Sequence, residues 1–200
     1  MTDFIPEYRR RSFLGAAVAI AAGAATGSSQ LLAQGARLPP TPECRPGRGT
    51  PAQTEGPFYS ASTPRKSNFR ADAKGEALVL EGQVLTTQCK PVSGAWLDFW
   101  HADTTGDYDN TGFRLRGHQF ADAEGRFRLE TILPAVYPGR TRHIHVKLRA
   151  GRSDADGGRI LTTQVYFPDE PGNARDGLYR PELLARRAGE QLRFDFVLPA

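Results

Sequence analysis

The sequence predicts an all-β fold built as a two-sheet sandwich, and three features favour it. After Gly75 the chain divides into short runs of β-branched and aromatic residues separated by turn residues. No long segment repeats its apolar residues with the period of an amphipathic helix. Near the C-terminus, Leu192-Arg193-Phe194-Asp195-Phe196 alternates apolar and charged residues, as a half-buried strand does. Several short strands without helices are typical of a sandwich.

The first 33 residues have the character of an export signal. Three arginines, Arg9 to Arg11, precede an apolar stretch from Gly15 to about Gly27, and small and polar residues follow it. This order is typical of a segment that is removed after export, so residues 1–33 are excluded from the predicted fold. The apolar stretch is shorter than the ~20 residues that a membrane-spanning helix needs, which argues against stable membrane insertion.

The arginine pair with Phe13 and Leu14 resembles a twin-arginine signal, the type that exports folded and often metal-loaded proteins. Arg9 and Gly15 differ from the residues that are usual at their positions, and an ordinary secretory signal is the alternative. Either signal predicts an exported protein, periplasmic or extracellular.

Residues 34–75 are predicted to form an irregular arm. They are rich in Pro, Gly, Thr and Arg without sustained periodicity, so their order must come from packing against the core. Cys44 in the arm and Cys89 after the first predicted strand lack the spacing of a zinc or redox site. In an exported protein such a pair is expected to form a disulfide, which would attach the arm to the first strand.

The sandwich is predicted over residues 76–200. Its strands are expected at Ala77–Leu85, Ala95–His101, Arg126–Ile132, Arg142–Arg149, Ile160–Phe167 and Leu192–Leu198. The residues Asp122-Ala123-Glu124-Gly125 stand where a hairpin turn would join two strands. Trp96 and Trp100 fall on one face of the second strand and are interpreted as core residues.

The charge balance gives no reason to predict nucleic-acid binding. Lys and Arg number 26 against 22 Asp and Glu, and the excess is spread along the chain. With 39% hydrophobic residues among 200, the chain can form one ordinary globular domain and has little room for a second.

The candidate metal-binding residues begin with His143 and His145, which flank Ile144 in a predicted strand. Strand side chains alternate between faces, so both imidazoles point to one side. Two neutral imidazoles form half of a common type of metal site. A cupin carries a similar pair followed by a carboxylate, whereas residues 147–150 here are Lys, Leu, Arg and Ala. A cupin is therefore disfavoured.

Two tyrosines could complete such a site. Tyr108 follows another predicted strand, and Tyr137 lies in the segment that leads directly into His143. A single tyrosine is usually a packing residue, so the residues alone leave the role of this pair open. The remaining histidines, His101 and His118, are interpreted as structural or surface residues.

Several motifs together resemble those of the intradiol ring-cleavage dioxygenases, which include catechol and protocatechuate dioxygenases. In family order, over roughly residues 50–170, the matching pieces are Thr54–Tyr59, Pro91–Ala95, Trp100–Asp103 with Gly106 and Tyr108, Arg116–Gly117, Thr131–His145 and Leu161–Phe167. The resemblance implies that family's β-sandwich core. It also implies an oxidoreductase of aromatic-compound catabolism, in which O2 opens a catechol ring between its hydroxyl-bearing carbons to give a cis,cis-muconate-type diacid.

The resemblance further implies a site for one Fe(III) ion. Its ligands would be Tyr108, Tyr137, His143 and His145, with Tyr137 and His145 axial. Phenolate is a hard anionic ligand that suits ferric iron, and coordination removes the proton from a phenol whose pKa is ordinarily ~10. In the family the axial tyrosinate leaves the metal when the catechol binds, and it takes a proton.

Four more residues match family positions near the substrate. Arg140, three residues before His143, matches an arginine that orients the substrate and stabilises its negative charge. Gln164 matches a glutamine close to the metal. Pro57 and Tyr59 match the segment that borders the pocket, and they are candidates for its wall.

Two alternatives remain open at the level of sequence. One is a non-catalytic exported β-sandwich of the transthyretin-like or carbohydrate-binding type, because a fold does not fix a function. The other is a zinc hydrolase in which His143, His145 and a carboxylate activate water. Six positions separate Tyr137 from His143, a tighter loop than in the catechol and protocatechuate enzymes, so the preferred catechol is not predicted, and neither is the number of subunits.

Overall fold

The computed structural model describes residues 1, 44–151 and 159–198. The predicted export signal at residues 1–33, apart from Met1, and the first part of the arm at residues 34–43 lie outside the described residues. The described residues form two β-sheets, in agreement with the predicted sandwich. None of the helical segments in these ranges is long and apolar enough to cross a membrane.

The regular structure of the described residues consists of short strands and one 3-10 turn. In chain order these are β1 Ala77–Thr86, β2 Trp96–Trp100, β3 Arg116–Phe120, β4 Arg126–Ile132, β5 His143–Arg149, β6 Leu161–Tyr166, the 3-10 turn Pro181–Leu183, β7 Arg186–Ala188, β8 Gln191–Arg193 and β9 Phe196–Leu198. The front sheet has the order β3-β2-β5-β6. The back sheet has the order β4-β1-β8-β7, and β9 also pairs with β1.

The core between the two sheets determines which face of β5 points inward and which points to the outer side of the front sheet. Ile144, Val146 and Leu148 are fully buried and belong to the same apolar cluster as Phe99 of β2 and Leu80 of β1. Burying an aliphatic side chain of this size contributes roughly 1.5–3 kcal/mol. If the pairing register of β5 shifted by one residue, all three side chains would leave the core, so burial of these side chains sets the register. The intervening residues of β5 therefore point to the outer face of the front sheet.

The arm crosses that outer face from β6 to β3. Its backbone is tied to β6 through the bond from Gln53 N to Thr162 O, at 2.8 Å, and to β3 through the bond from Lys66 N to His118 O, at 2.9 Å. Cys44 and Cys89 are joined by a disulfide, with their Cα atoms 5.7 Å apart. The bond attaches the described start of the arm to the turn that follows β1.

Strand β3 is absent from the sequence-based prediction. Its residues Arg-Gly-His-Gln-Phe have no β-branched member and no clear alternation. The segment becomes a strand because it pairs along its whole length with β2 in the front sheet. Gly117 is needed there, since a Cβ at this position would lie 2.8 Å from the carbonyl oxygen of Lys66. Tertiary pairing has overridden weak local propensity.

The predicted hairpin turn at residues 122–125 is a tight turn, but it does not join two strands of one sheet. Asp122 N donates to Arg126 O at 2.9 Å, and Gly125 has a φ of +71°. The strands on either side, β3 and β4, belong to the front and back sheets respectively. The turn therefore passes the chain from one layer of the sandwich to the other.

The single strand predicted at Leu192–Leu198 is divided into β8 and β9, and its expected alternation is wrong. All residues from Leu192 to Leu198 are buried, because the segment runs parallel to β1 within the back sheet. Pairing is interrupted where the carboxylate of Asp195 accepts a hydrogen bond from Gln83 N at 2.9 Å, in place of a backbone carbonyl. Burial on both sides removes the polar face that the pattern suggested.

The close approach of β1 to the C-terminal segment can be tested by mutation. A Cβ on Gly82 would lie 1.7 Å from the carbonyl oxygen of Phe194, so we expect Gly82→Ala to separate β1 from the C-terminal segment and to cost about 3 kcal/mol or more of unfolding free energy. Urea unfolding measures this loss. Gly177→Ala is the matched control, because a Cβ there meets no atom within 4 Å. Equal stability of the two variants would contradict the close approach.

Candidate active site

The candidate site lies on the outer face of the front sheet, at the end where β2 and β6 finish and β3 and β5 begin. Paired positions form a row across all four strands, in the order Arg116, Trp100, His145 and Gln164. His143 and Tyr166 form the next pair toward that end. Three loops leave the sheet there, at residues 101–115, 133–142 and 167–180. The sheet supplies the histidines, and the loops supply the side chains that meet them.

The two histidines of β5 converge. Their Nε2 atoms are 3.0 Å apart, and both side chains are buried. Nδ1 of His143 lies 2.6 Å from the carbonyl oxygen of Thr141. A carbonyl can only accept, so this Nδ1 carries the proton and Nε2 presents a lone pair. Two nitrogen ligands at ~2.1 Å from one ion and at right angles to each other would be ~3.0 Å apart. The pair fits a shared metal ion.

Electrostatics keep both imidazoles neutral. Burial, helped by the charge of Arg140, lowers the pKa of His143 to about 4. Burial and the proximity of His143 lower the pKa of His145 well below its ordinary value. Neither ring is protonated at neutral pH, so protons do not compete with a metal for the two nitrogen atoms.

Tyr108 contacts this pair directly. Its hydroxyl oxygen is 3.4 Å from Nε2 of His143, and its ring is stacked on Phe58 with the centroids 4.6 Å apart. Burial raises the pKa of Tyr108 above its ordinary value, although the charges of Arg140 and Arg116 act in the opposite direction. The phenol is neutral unless a further cation stabilises the phenolate.

Tyr137 lies beside Tyr108 and is more exposed than it is. The two rings are 6.0 Å apart and perpendicular, and Phe58 packs edge-on against Tyr137 at 5.2 Å. Its side chain is partly exposed, and its hydroxyl makes no hydrogen bond with the described residues. The two tyrosines and two histidines suggested by sequence are thus brought to one place, with Tyr137 as the more exposed of the two tyrosines.

Arg140 is held by a fork of acceptors. Its Nε donates to Asp176 Oδ2 at 2.9 Å, and its Nη2 donates to Gln164 Oε1 at 2.7 Å and to the hydroxyl of Tyr166 at 3.1 Å. The predicted arginine and glutamine are therefore direct partners. Asp176 and Tyr166 were not predicted, although Tyr166 follows Gln164 by two residues on β6 and so shares its face.

The wall of the site comes from the arm. Gly56 has a φ of +72°, and a Cβ there would lie 3.6 Å from Cε1 of His145. Tyr59 packs against Trp100 with ring centroids 4.9 Å apart, and it stays a candidate for the wall. Pro57 is exposed at the turn, whereas Phe58, which was not predicted, stacks on the site tyrosines.

Trp100 corrects one sequence-based interpretation. It is buried, but it lies on the outer face of the front sheet rather than between the sheets, and its ring is stacked on His145 at 4.8 Å with an angle of 9°. Trp96, on the same face, is only partly buried and lies under the guanidinium of Arg149. The aromatic face of β2 therefore supports the site and is not part of the sandwich core.

Arg116, which belongs to a matched motif but had no predicted role, is fully buried beside the site. Its Nε donates to the carbonyl oxygen of Asp109 at 2.7 Å, and its Nη1 donates to that of Phe58. Burial lowers its pKa, but a guanidinium stays charged at any ordinary pH. The side chain joins the loop that carries Tyr108 to the arm segment that forms the wall.

The other two histidines are structural. His101 is buried, with its ring nitrogens 2.7 Å from Ala102 O and 2.7 Å from Thr131 Oγ1. His118 Nδ1 lies 2.8 Å from Thr63 O. Within the described ranges, no group of three or more His, Cys, Asp or Glu side chains is arranged to hold a metal ion. The zinc-hydrolase alternative, which needs a carboxylate beside the histidine pair, has no such group in that part of the chain.

Comparison with protein families and curated proteins identifies related chains. The family model described as Dioxygenase matches residues 54–198. Catechol 1,2-dioxygenase of Acinetobacter baylyi is 32% identical over 160 residues, which cover 65% of this chain and 50% of that protein. The protocatechuate 3,4-dioxygenase beta chain of Burkholderia cepacia is 35% identical over 123 residues, which cover 53% and 51%. The chain spans about half the length of these curated relatives.

Comparison with solved structures also identifies dioxygenases. The dioxygenase domain of a dioxygenase carbohydrate-binding protein fusion from Streptomyces sp. SirexAA-E has 48% identity and a TM-score of 0.70, and the match covers 76% of this chain and 99% of that one. Catechol 1,2-dioxygenase from Pseudomonas arvilla C-1 has 30% identity and a TM-score of 0.65, with 76% and 62% covered. The two-sheet core is shared with these enzymes.

The buried His101 predicts a loss of stability in acid. Burial lowers its pKa from 6.5 to about 4, so the unfolded chain binds a proton in this interval that the folded protein does not. The stabilisation is fully present above pH 6.5 and is lost as the pH falls toward about 4. Within the interval this one histidine contributes a slope of about 1.4 kcal/mol per pH unit.

Urea unfolding of the metal-free protein at several pH values measures that slope. His101→Gln keeps a polar side chain opposite Thr131 but cannot titrate, so its unfolding free energy should fall less steeply, by about one proton. His143 and His145 remain in both proteins, and their contribution cancels in the difference. Parallel curves would show that His101 does not titrate on unfolding.

Proposed function

The chain belongs to the intradiol dioxygenase family, and we propose from this that it is an exported iron enzyme that opens catechol-type rings with O2 to give cis,cis-muconate-type diacids. The strongest support for the proposal is the position of two neutral imidazoles, whose Nε2 atoms lie 3.0 Å apart beside the buried phenol of Tyr108. The related enzymes named catechol 1,2-dioxygenase and protocatechuate 3,4-dioxygenase support ring cleavage between the hydroxyl-bearing carbons.

In this proposal one Fe(III) ion is held by two imidazoles and two phenols, from His143, His145, Tyr108 and Tyr137. The donor set suits the metal, because neutral nitrogens need not release protons and the buried phenol of Tyr108 becomes a phenolate only beside a cation. Bound iron supplies the positive charge that makes a catecholate ring carbon open to O2. The protein supplies orientation, proton transfer and exclusion of water.

The proton chemistry is assigned to Tyr137. A catechol must lose two hydroxyl protons to bind as a dianion. Tyr137, which would be a phenolate beside the cation, is the proposed acceptor of one proton, and the other would pass to solvent. This tyrosine is partly exposed and has no hydrogen bond with the described residues that would hold it. Tyr108 is buried under Phe58 and is suited to remain a permanent ligand.

Charge and shape around the ring come from the remaining site residues. Arg140 carries a fixed positive charge, and its Nη1 makes no hydrogen bond with the described residues, so it is available to a negatively charged substrate oxygen. Phe58, Tyr59 and Trp100 belong to one aromatic cluster with Tyr108, and this cluster is the proposed apolar side of the site. The arrangement suits a flat, anionic aromatic substrate.

The non-catalytic alternative is not favoured. A binding module of the transthyretin-like or carbohydrate-binding type would have no use for two neutral imidazoles held at metal-ligand distance. The related curated proteins are also named as enzymes. The zinc-hydrolase alternative would give colourless protein, whereas a ferric ion with tyrosinate ligands is expected to be coloured.

We also propose that the protein reaches the periplasm or the exterior through a twin-arginine signal. The disulfide between Cys44 and Cys89 supports an oxidising compartment. If the signal is of this type, Arg10→Lys with Arg11→Lys should retain the full-length protein inside a bacterial host, while Arg9→Lys should be exported and processed. Cell fractionation and N-terminal sequencing distinguish the two results. Normal export of the double variant would identify an ordinary secretory signal instead.

The iron site is tested by two tyrosine variants made side by side. The parent should bind about one iron per chain and be reddish, and dithionite should bleach it. Tyr137→Phe should keep iron and bind catechol without O2, yet turn over ~10²–10⁴-fold more slowly, because the proton acceptor is gone. Tyr108→Phe should change the colour, lower the iron content and lower activity together.

Metal analysis, anaerobic catechol titration, and oxygen uptake with mass spectrometry of the product give these quantities. Near-normal turnover in Tyr137→Phe would refute its proton-accepting role. Near-normal turnover in both variants would show that neither tyrosine binds the metal, and a colourless parent that stays inactive after ferric loading would refute the iron assignment.

A further inference from the structure

Asp176 is a buried carboxylate next to the site that has no role so far. It lies in the loop at residues 167–180, and its side chain is only 2% exposed. Taking a carboxylate out of water is costly unless it is paired and hydrogen-bonded. Here Oδ2 accepts from Arg140 Nε and from Thr141 N, both at 2.9 Å, and Oδ1 accepts from Leu178 N at 2.9 Å. All three donors need an acceptor oxygen, and the ionised carboxylate supplies both of its oxygens to them.

These contacts keep Asp176 ionised. Burial alone would raise the pKa of its carboxyl, but the hydrogen bonds from Thr141, Leu178 and Arg140 outweigh burial and lower the pKa below the ordinary value. The site therefore contains a fixed ion pair between the loop at residues 133–142 and the loop at residues 167–180.

The ion pair determines how the guanidinium of Arg140 is presented. Asp176 binds Nε, and Gln164 and Tyr166 bind Nη2, so one edge of the planar group is occupied. The acceptors on Nη2 are neutral, and the carboxylate is the strong, charge-assisted partner. The unengaged Nη1 is then offered in a single orientation, instead of being distributed over the rotamers of a free arginine.

The same carboxylate also fixes the loop that precedes β5. By accepting from Thr141 N, it holds the residue whose carbonyl oxygen lies 2.6 Å from Nδ1 of His143. One side chain thus orients both the charged group proposed to meet the substrate and the turn between that group and the histidine pair. Neither role requires Asp176 to touch the substrate.

We propose that Asp176 is a positioning residue for ring cleavage, holding Arg140 so that its free Nη1 meets negative charge on the catechol. The proposal rests on the proposed function for the role of Arg140, and on the structure for the contact. Asp176→Asn is a sharp probe. An asparagine offers one oxygen and one NH2, so in either orientation an NH2 faces a backbone or guanidinium N–H that needs an acceptor.

With catechol as substrate, we expect Asp176→Asn in the iron-loaded protein to lower kcat by ~10-fold or more and to change KM less, since misorientation affects chemistry more than docking. The decisive comparison uses Arg140→Met and the double variant. If Asp176 acts mainly through Arg140, Asp176→Asn should cause a clearly smaller fold-loss in the Arg140→Met background than in the parent, with the remainder attributable to Thr141. A purely structural role predicts the same fold-loss in both backgrounds and would overturn the proposal.

Glu170→Gln is the matched control. Glu170 lies in the same loop and forms an ion pair with Arg142, which neighbours Arg140 in sequence but is not assigned to the site. Glu170→Gln also removes an ion pair between the same two loops, and it should leave kcat and KM with catechol unchanged. An equal loss of kcat in Glu170→Gln and Asp176→Asn would show that general loosening of the loop, not orientation of Arg140, is responsible.

A second measurement is independent of turnover. In metal-free protein labelled with ¹⁵N-arginine, the Nε–H of Arg140 should exchange slowly in the parent and in Glu170→Gln, and rapidly in Asp176→Asn. Unchanged slow exchange in Asp176→Asn would overturn the positioning role regardless of activity. Rapid exchange in that variant, combined with a parent that does not cleave catechol, would instead refute the proposed function and leave the contact between Asp176 and Arg140 established.

Discussion

Two imidazole nitrogens held 3.0 Å apart in a buried place are the constraint on which the rest of this protein depends. Neutral imidazole nitrogens at that distance repel each other unless a proton or a cation lies between them. The sandwich imposes the approach, because burial of Ile144, Val146 and Leu148 leaves β5 no freedom to turn its other face away. The energy that brings the two histidines together therefore comes from apolar packing on the opposite side of the strand.

The surroundings of the histidine pair are positively charged before any metal is considered. Arg116 and Arg140 both influence the pKa values of Tyr108 and His145. They differ in attachment, since Arg116 is bonded to backbone carbonyls and Arg140 to a carboxylate and two neutral side chains. Such an environment disfavours protonated imidazoles and favours anions, which suits phenolate ligands and a catecholate together. The electrostatics and the proposed chemistry agree.

Sequence reasoning succeeded where a local pattern has a direct spatial meaning. The period of two in a strand was enough to place His143 and His145 on one face, and the resemblance to a known family supplied Tyr108 and Tyr137. Asp176 and Arg116 could not be found this way, because their partners Arg140 and Phe58 lie 36 and 58 residues away along the chain. Strand β3 was not predicted for a related reason. Its residues have weak β propensity, and they form a strand because they pair with the neighbouring β2.

The site is assembled from two parts of the chain that have different tolerance for change. The histidines belong to a central strand paired on both sides, whereas Phe58 and Tyr59 belong to an arm tied to the sheet by a few hydrogen bonds and anchored by the disulfide. Substitutions at Phe58 and Tyr59 can change the aromatic side of the site without altering a strand, because this part of the arm has no regular secondary structure. The surroundings of the histidine pair are therefore able to vary separately from the pair itself.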